Sequence, residues 1–468
     1  MEGLYMPLGR KKNYEMDMCS GAILPKLLRF TMPLMLSSIL QLLFNAADII
    51  VVGRFAGDNA LAAVGSNTSL INLLVNLFIG LSVGANILAA RFYGAGEKEG
   101  LRQTVHTAML LSLISGLFLA IVGAFGAATI LTWMQSPEEV RGLAAIYLRI
   151  YFLGMPATML YNFGAALLRA TGDTQRPLYY LTFAGVVNVV LNLVFVIVCD
   201  MDVAGVATAN VISQCISAFL VVRCMMKDPG AIHLDLRQLR IYRMRLKQIL
   251  QVGLPAGFQG ALFSLSNVFI QSSVNSFGEV VVAGNAAAAN IETFIYAAMN
   301  AFYQATISFV SQNYGAGKYE RIRPIMVRAL GCVIAVGATL SAFTLAFGHQ
   351  LLGIYSDSEA VIAAGIERIT VVCSSYFLCG MMEIMVGVLR GLGYSVMPMI
   401  VSLVGACGLR ILWIATLFQI PSLHTIGTLY WSYPVSWSLT GSAHFICYIW
   451  ASKRLKKHLL YGTPLRTF

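Results

Sequence analysis

Apolar runs of about twenty residues or more, each long enough to cross a hydrocarbon layer roughly 30 Å thick, recur along the whole chain between short polar clusters. They begin near Leu24, Leu61, Leu101, Val140, Leu178, Val203, Leu246, Val281, Ile322, Ala360, Val396 and Leu429. A water-soluble core has no room for so much apolar side chain, since 58% of the 468 residues are hydrophobic, 11% are charged and the mean hydropathy is +0.74. The runs are continuous rather than alternating, and rich in Leu, Ala and Gly. In lipid, that pattern satisfies its own backbone hydrogen bonds as helices and not as barrel strands. The expected fold is therefore an all-α polytopic membrane protein with twelve transmembrane helices.

The runs fall into two sets of six. Tyr93-Gly94-Ala95-Gly96 returns as Tyr314-Gly315-Ala316-Gly317, a shift of 221 residues. Leu168-Arg169 with Gly172 and Pro177 returns at the same shift as Leu389-Arg390 with Gly393 and Pro398. Ser136 and Glu138 correspond to Asp357 and Glu359, and Pro33 is matched one residue off register by Pro255. Several markers at one offset point to an internal duplication, and hence to two pseudo-symmetric six-helix bundles. Six is an even number, so the halves share one orientation and are related by an axis along the membrane normal. The expected organisation is a terminal segment 1–23, a first lobe 24–226, a linker 227–245, a second lobe 246–452 and a tail 453–468.

Basic residues collect at the amino terminus (Arg10, Lys11, Lys12, Lys26, Arg29), between the sixth and seventh runs (Arg237, Arg240, Arg243, Arg245, Lys247) and at the carboxyl terminus (Lys453, Arg454, Lys456, Lys457). The opposite loops hold Asp58, Glu138, Glu139, Asp200, Asp202, Glu279, Asp357 and Glu359 against only Arg54 and Arg141. Cytoplasmic loops are the ones that retain Lys and Arg, so both termini are expected inside a cell inner (plasma) membrane. Attraction of these clusters to anionic lipid accounts for the formal charge of +11 without any nucleic-acid partner. The nine cysteines lack CxxC spacing and fall mostly within runs, so neither a disulfide framework nor a zinc site is indicated. His106, His349 and His444 are isolated and read as structural. No nucleophile with a base, metal-ligand set or phosphate loop supports an enzyme, and no cofactor is expected.

Ionisable groups at membrane depth are costly and become functional candidates, and four lie well inside the runs: Asp48, Glu292, Glu383 and Arg410. Asp48 stands about 19 residues, or roughly 28 Å of helix, beyond Arg29, and Asn45 and Gln41 share its face. Asn188 and Asn192 are one turn apart in the fifth run, and Asn210 is in the sixth. The expectation is that Asp48 is a reversibly protonated or sodium-binding group surrounded by Asn188, Asn192 and Asn210. The duplication places Ile270 opposite Asp48, so the halves differ chemically. In the second half Glu292 and Glu383 offer negative charge to a cationic substrate, and Tyr296, Met299, Tyr303, Tyr376 and Met382 offer aromatic or polarizable surface. Gln41 and Asn45 would complete a substrate wall. Arg410 either pairs with Glu383 or Glu292 or attracts an anionic group, and both readings stay open. Arg169 and Arg390, near helix ends, read as snorkelling side chains.

Across all twelve runs the chain resembles the multidrug and toxic compound extrusion (MATE) transporters. The residues that carry the resemblance are Pro33, Asn45 and Asp48 followed by Val52-Gly53, the stretch Ala60-Leu61-Ala62-Ala63-Val64-Gly65, the two YGAG repeats, and the LRATG and LRGLG segments. The resemblance implies two bundles around a central cavity, with a proton or sodium gradient driving export of organic, often cationic, compounds. It places Asp48 on the family's helix-one acid, and Asn188 and Asn210 on its polar positions in helices five and six. Asn192 stands where many members carry a second acid, which lowers the negative charge available to sodium and leans the expectation towards protons. A monomeric exporter of small organic molecules, resident in the lipid bilayer, is expected. The rival is a flippase for a lipid-linked oligosaccharide, a class whose cavity is commonly strongly cationic.

Overall fold

The computed structural model describes residues 14–133, 138–230 and 232–461; Arg10, Lys11, Lys12, Ser136 and the tail beyond residue 461 lie outside the described residues. The first lobe comprises α1 (Ile23–Ala56), α2 (Asp58–Ala95), α3 (Lys98–Trp133), α4 (Glu138–Leu153 continued by Met155–Ala170), α5 (Gln175–Val198) and α6 (Asp202–Lys227). The second comprises α7 (Arg243–Asn275), α8 (Glu279–Gly315), α9 (Ile322–Ala346), α10 (Glu359–Gly391), α11 (Val396–Gln419) and α12 (Ile426–Tyr461). Each begins within three residues of its expected start. Among the described residues ten helices are long and apolar enough to cross a membrane, and the two parts of α4, bent by 46°, make another span together. The twelfth, α12, has 36 residues but interrupts its apolar face with Ser, Thr, Tyr and His. The described residues form helices and connections without strands.

The duplication is visible in the backbone. Gly96 and Gly317 both have φ +69°, and Gly172 and Gly393 both have φ +97°, each pair separated by the 221 residues of the repeat. Glycine ends these helices because a left-handed residue there carries no Cβ penalty.

At the end of the molecule where α1 begins and α12 finishes, here the basic end, the lobes meet backbone to backbone. A Cβ on Gly80 or Gly257 would stand 2.2 Å from the Gly257 nitrogen or 2.1 Å from the Leu77 carbonyl oxygen. Gly84 and Gly253, one turn away, also leave no room for a Cβ, which would stand 2.5 Å from the Ile249 carbonyl oxygen or 2.7 Å from the Leu81 Cα. Two glycines four apart on α2 thus cross two glycines four apart on α7, the small-residue arrangement that lets helices approach in lipid. The first glycine of each YGAG repeat does the same between α2 and α8: a Cβ on Gly94 would lie 2.0 Å from the Gln312 carbonyl, and one on Gly315 2.0 Å from that of Arg91. Positions 91 and 312 are repeat mates. Their side chains reach across to repeat-related acceptors, Arg91 donating to the Gly391 carbonyl (3.2 Å) and Gln312 to the Ala170 carbonyl (2.6 Å).

The opposite flank of this interface is built differently. The first half of α1 packs into the core of the second lobe through Ile23, Leu27, Phe30 and Leu34, with the Phe30 and Phe309 rings edge to face at 5.7 Å. The second half of α1 belongs to the first lobe, where Phe44 fills the space that a side chain at Gly185 of α5 would need. Pro33, near the end of the attachment to the second lobe and just before Leu34, cannot donate to the preceding turn and so weakens the helix between Phe30 and the half that belongs to the first lobe. The segment before α1 ties the same end together. Met16 N–H donates to the Thr171 carbonyl of the first lobe at 3.1 Å, whereas the Met18, Cys19, Ser20 and Gly21 carbonyls accept from Asn313, Lys318 and Arg321 of the second.

The connection from α6 to α7 is also anchored. The Asp235 and Tyr242 amides donate to His106 Nε2 and Thr107 Oγ1 on α3.

Overpacking a backbone contact costs about 1–3 kcal/mol. Gly94→Leu and Gly315→Leu should therefore each shift the protein away from this closed basic end, seen as longer distances between spin labels at positions 98 and 320. Unchanged distances in both variants would show that the crossing does not set the lobe arrangement.

Candidate functional site

Two polar centres lie beyond the closed end, one in each lobe. In the first, the close approach of α1 to α5 at Gly185 brings Asp48 opposite Asn188 and Asn192. Asn192 donates from Nδ2 to one oxygen of Asp48, and Asn210 of α6 donates to the other at 3.4 Å. The Asn192 amide also reaches Asn188 Oδ1 at 3.3 Å. Asp48, Asn188 and Asn192 are buried and Asn210 is half-buried. Asn192 Oδ1 is a buried oxygen without a hydrogen-bond partner. Beside a carboxylate it is a lone pair available to a cation, whereas a proton would go to the Asp48 carboxylate itself, so the donor set of the four residues suits a monovalent ion. π-helical turns follow Asp48 (Val52–Ala56) and Asn192 (Val194–Val198). Such turns insert an extra residue and re-aim the neighbouring side chains.

In the second lobe a cavity of about 570 Å³ lies between α7, α8, α10, α11 and α12, with Asn76 of α2 at its side. Its volume suits a small organic molecule. Ile270, the mate of Asp48, is in its wall, so the two centres occupy corresponding places in the duplicated lobes. Glu292 is held by Arg368 in a bidentate pair at 2.8 and 2.7 Å, and Arg368 continues to Asn285 at 2.6 Å. Arg410 donates to Ser436 at 2.9 Å and lies over the Tyr433 ring at 4.3 Å and the Trp437 ring at 5.6 Å. Glu383 also lines the cavity, without a hydrogen-bond or ion-pair partner among the described residues. Tyr376 packs edge to face on Trp437 at 5.2 Å.

The structure thus brings Asp48, Asn188, Asn192 and Asn210 together, and gathers Glu292, Tyr296, Tyr376, Met382, Glu383 and Arg410 around one cavity. Gln41 and Asn45 are exposed on the side of α1 opposite its apolar stripe Leu36, Leu43 and Ile50, and they are outside the walls of that cavity. Met299 is not a wall residue either. It is 1% exposed because its sulfur fills the space left by Gly337 and Gly380, which makes it core. Tyr303 is likewise engaged, accepting from Arg390.

Sequence reasoning missed Arg368. The signal was available: an arginine nine residues into the α10 run needs a buried carboxylate, and Glu292 needs a buried cation. The open choice for Arg410 resolves towards neither glutamate, because Arg368 already occupies Glu292 and, among the described residues, Arg410 bonds to Ser436 and forms no ion pair with Glu383. Arg390 does not snorkel. It is 4% exposed and donates to Tyr303 and to Gln259 at 2.8 Å, inside the second lobe. Buried His444 is bonded to Ser402 at 3.0 Å, as a structural histidine would be. Among the described residues no cluster of His, Cys, Asp or Glu could hold a multivalent metal.

Comparison with known proteins gives one family. The MatE family matches residues 33–194 and again residues 255–416, so both halves are recognised separately. The probable multidrug resistance protein YoeA of Bacillus subtilis (strain 168) is 28% identical over 439 residues, covering 92% of this chain and 94% of that protein. The probable multidrug resistance protein YpnP of the same organism is 27% identical over 398 residues, covering 84% and 88%. Among solved structures, the outward-facing conformation of a multidrug resistance MATE family transporter of the MOP superfamily superposes with a TM-score of 0.89 at 23% identity, over 96% of this chain and all of that one.

Removing one partner of a buried ion pair costs about 3–5 kcal/mol, because the other charge is left uncompensated. Arg368→Leu should lower the thermal midpoint of the purified protein sharply, and adding Glu292→Leu should restore most of it. A double variant no more stable than the single one would mean that the pair is not the source of the loss.

Proposed function

The chain belongs to the MatE family, and from that premise we propose that it is a secondary antiporter, exporting organic compounds in exchange for protons or sodium. The basic end, with both termini, faces the cytoplasm of the cell inner membrane, a reading that the distribution of Lys and Arg favours. The closed arrangement is then the outward-facing one. Both centres lie within one chain, so a monomer suffices.

Support comes chiefly from α1, which carries Asp48 into the first lobe and Phe30 into the core of the second, with Pro33 between them. A proton or sodium ion at Asp48 changes the charge that Asn192 and Asn210 hold, and so changes how the outer half of α1 is fastened to α5 and α6. The inner half of the same helix is part of the interface that must open for the cytoplasmic face. Coupling needs such a shared element, because an ion shifts a conformational equilibrium only by its differential affinity for the two states. The single carboxylate, with Asn192 in place of a second acid, favours the proton over sodium as the driving ion.

The substrate site is the cavity of the second lobe. Glu383 supplies a carboxylate that forms no ion pair or hydrogen bond among the described residues, and Tyr296, Tyr376 and Trp437 supply aromatic faces for an organic cation. Arg368 raises the count at the cavity to two acids and two bases. The wall is therefore mixed in charge rather than strongly cationic, which disfavours the lipid-linked-oligosaccharide flippase. Relatives with names such as multidrug resistance protein YoeA point the same way.

Uptake of dye cations into proteoliposomes under imposed proton or sodium gradients tests the coupling. Asp48→Asn should abolish gradient-driven accumulation while leaving the protein folded, and Asn192→Asp, which adds a carboxylate, should introduce or strengthen a dependence on sodium. Full gradient-driven transport by Asp48→Asn would remove Asp48 from the role of coupling group.

A further inference from the structure

A second large cavity lies in the second lobe and shares no lining residue with the proposed substrate cavity. It has a volume of about 1070 Å³ and runs between the first turns of α7, the start of α11 and the last turns of α12. We propose that it is a binding site for one anionic phospholipid, with its phosphate held by Arg243, Lys247 and Arg454 and an acyl chain lying in the groove above them.

The order of residues along each wall follows the order of chemistry along a phospholipid. On α7, Arg243, Lys247, Leu250 and Leu254 succeed one another on a single helical face, so two cations at the basic end give way to two leucines at greater depth. The α12 helix runs the other way, and there Arg454 lies one turn nearer the basic end than Trp450, with its guanidinium 5.4 Å over the indole ring. Trp450 meets the edge of Tyr394 at 5.7 Å, which places two aromatic rings between charge and hydrocarbon, as at a membrane interface. Further in, Leu254, Val396 and Ile400 are exposed along the groove.

Charge complementarity identifies the occupant. Three of the lining residues are cationic and none is acidic. The ion pairs of the described residues use none of the three cations. Positive residues spread over a flat surface would attract anionic lipid diffusely. Here they converge on the mouth of a concave apolar groove, which adds a seat for one chain. A free phosphate would satisfy the charges and leave the groove unfilled. The site also has a place in the fold, because Leu254 and Pro255 line it on α7 while Gly253 and Gly257 on the same helix cross α2. A seated lipid therefore braces the helix that closes the basic end.

Trp450 reports on the groove directly. The probe is brominated phosphatidylglycerol against brominated phosphatidylcholine, each titrated into nanodiscs of unbrominated phosphatidylcholine. The full chain carries Trp133→Phe, Trp413→Phe, Trp431→Phe and Trp437→Phe, so that Trp450 alone fluoresces. With three cations at the headgroup, half-maximal quenching is expected at a mole fraction on the order of tenfold lower for the anionic lipid. Arg243→Gln/Lys247→Gln should bring the two lipids close together, whereas Arg323→Gln/Arg328→Gln, exposed cations on α9, should leave the preference intact. Should the double variant fail to insert, Lys247→Gln alone should reduce the preference severalfold. Equal quenching by the two lipids in the parent, a preference that survives the loss of Arg243 and Lys247, or competition by inorganic phosphate in the buffer would each overturn the assignment.

Discussion

The contact of α2 with α7 and α8, made backbone to backbone through Gly80, Gly84, Gly94, Gly253, Gly257 and Gly315, is the constraint on which the rest of the structure depends. Apolar surface gives two helices no reason to associate in lipid, since the acyl chains are as apolar as leucine. Close packing and interhelical hydrogen bonds supply the attraction instead. The glycines provide the first. Arg91 and Gln312, reaching across to the ends of α10 and α4, provide the second. With this end shut, both polar centres lie on the far side of the seal.

The interface is symmetric where the repeat is retained and asymmetric where it is not. Gly94 and Gly315 face each other's helices as true repeat mates, whereas the glycines of α2 and α7 have no glycine counterparts in the pairing of α1 with α8, which is filled by Phe30 and Phe309. Both α1 and α7 carry a proline, Pro33 and its mate Pro255, but the flank of α7 is held by backbone proximity and that of α1 by side chains. That difference gives α1 freedom that α7 lacks. It also gives Asp48 a mechanical connection to the other lobe, which a carboxylate buried wholly within one bundle would not have. The charges of the two polar centres follow the same division: that of the first lobe keeps Asp48 among amides, and that of the second keeps a neutralised pair, Glu292 with Arg368, beside the separate groups Glu383 and Arg410.

Much of this was legible in the sequence. Spans were evident because hydrocarbon thickness imposes a minimum apolar length, and the duplication was evident because the backbone conformations at Gly96 and Gly172, and their mates, tolerate little but glycine. The first-lobe site was legible because Asn188 and Asn192 are one turn apart and Asp48 is an acid inside an apolar run. The second-lobe site was only half legible. Pairing of Glu292 depends on how α8 and α10 cross, and nothing local to Glu292 separates Arg368 from Arg410 as its partner. Met299 was misplaced because helical spacing gives the face of α8 and not what covers it, which here is the space left by Gly337 and Gly380. Arg390 was misread because nearness to a helix end in sequence does not reveal that Gln259 and Tyr303 enclose it.

The central claim is that the lobes have divided the work, with the driving ion in the first and the organic substrate in the second. Direct binding of an organic cation such as tetraphenylphosphonium, measured by titration calorimetry on the purified protein at fixed pH, separates the two. The account predicts that Glu383→Gln weakens binding by about tenfold or more, the scale of a lost charge contact of roughly 1.4 kcal/mol, while Asp48→Asn leaves binding within a few-fold of the parent. Loss of binding in Asp48→Asn with retention in Glu383→Gln would contradict it.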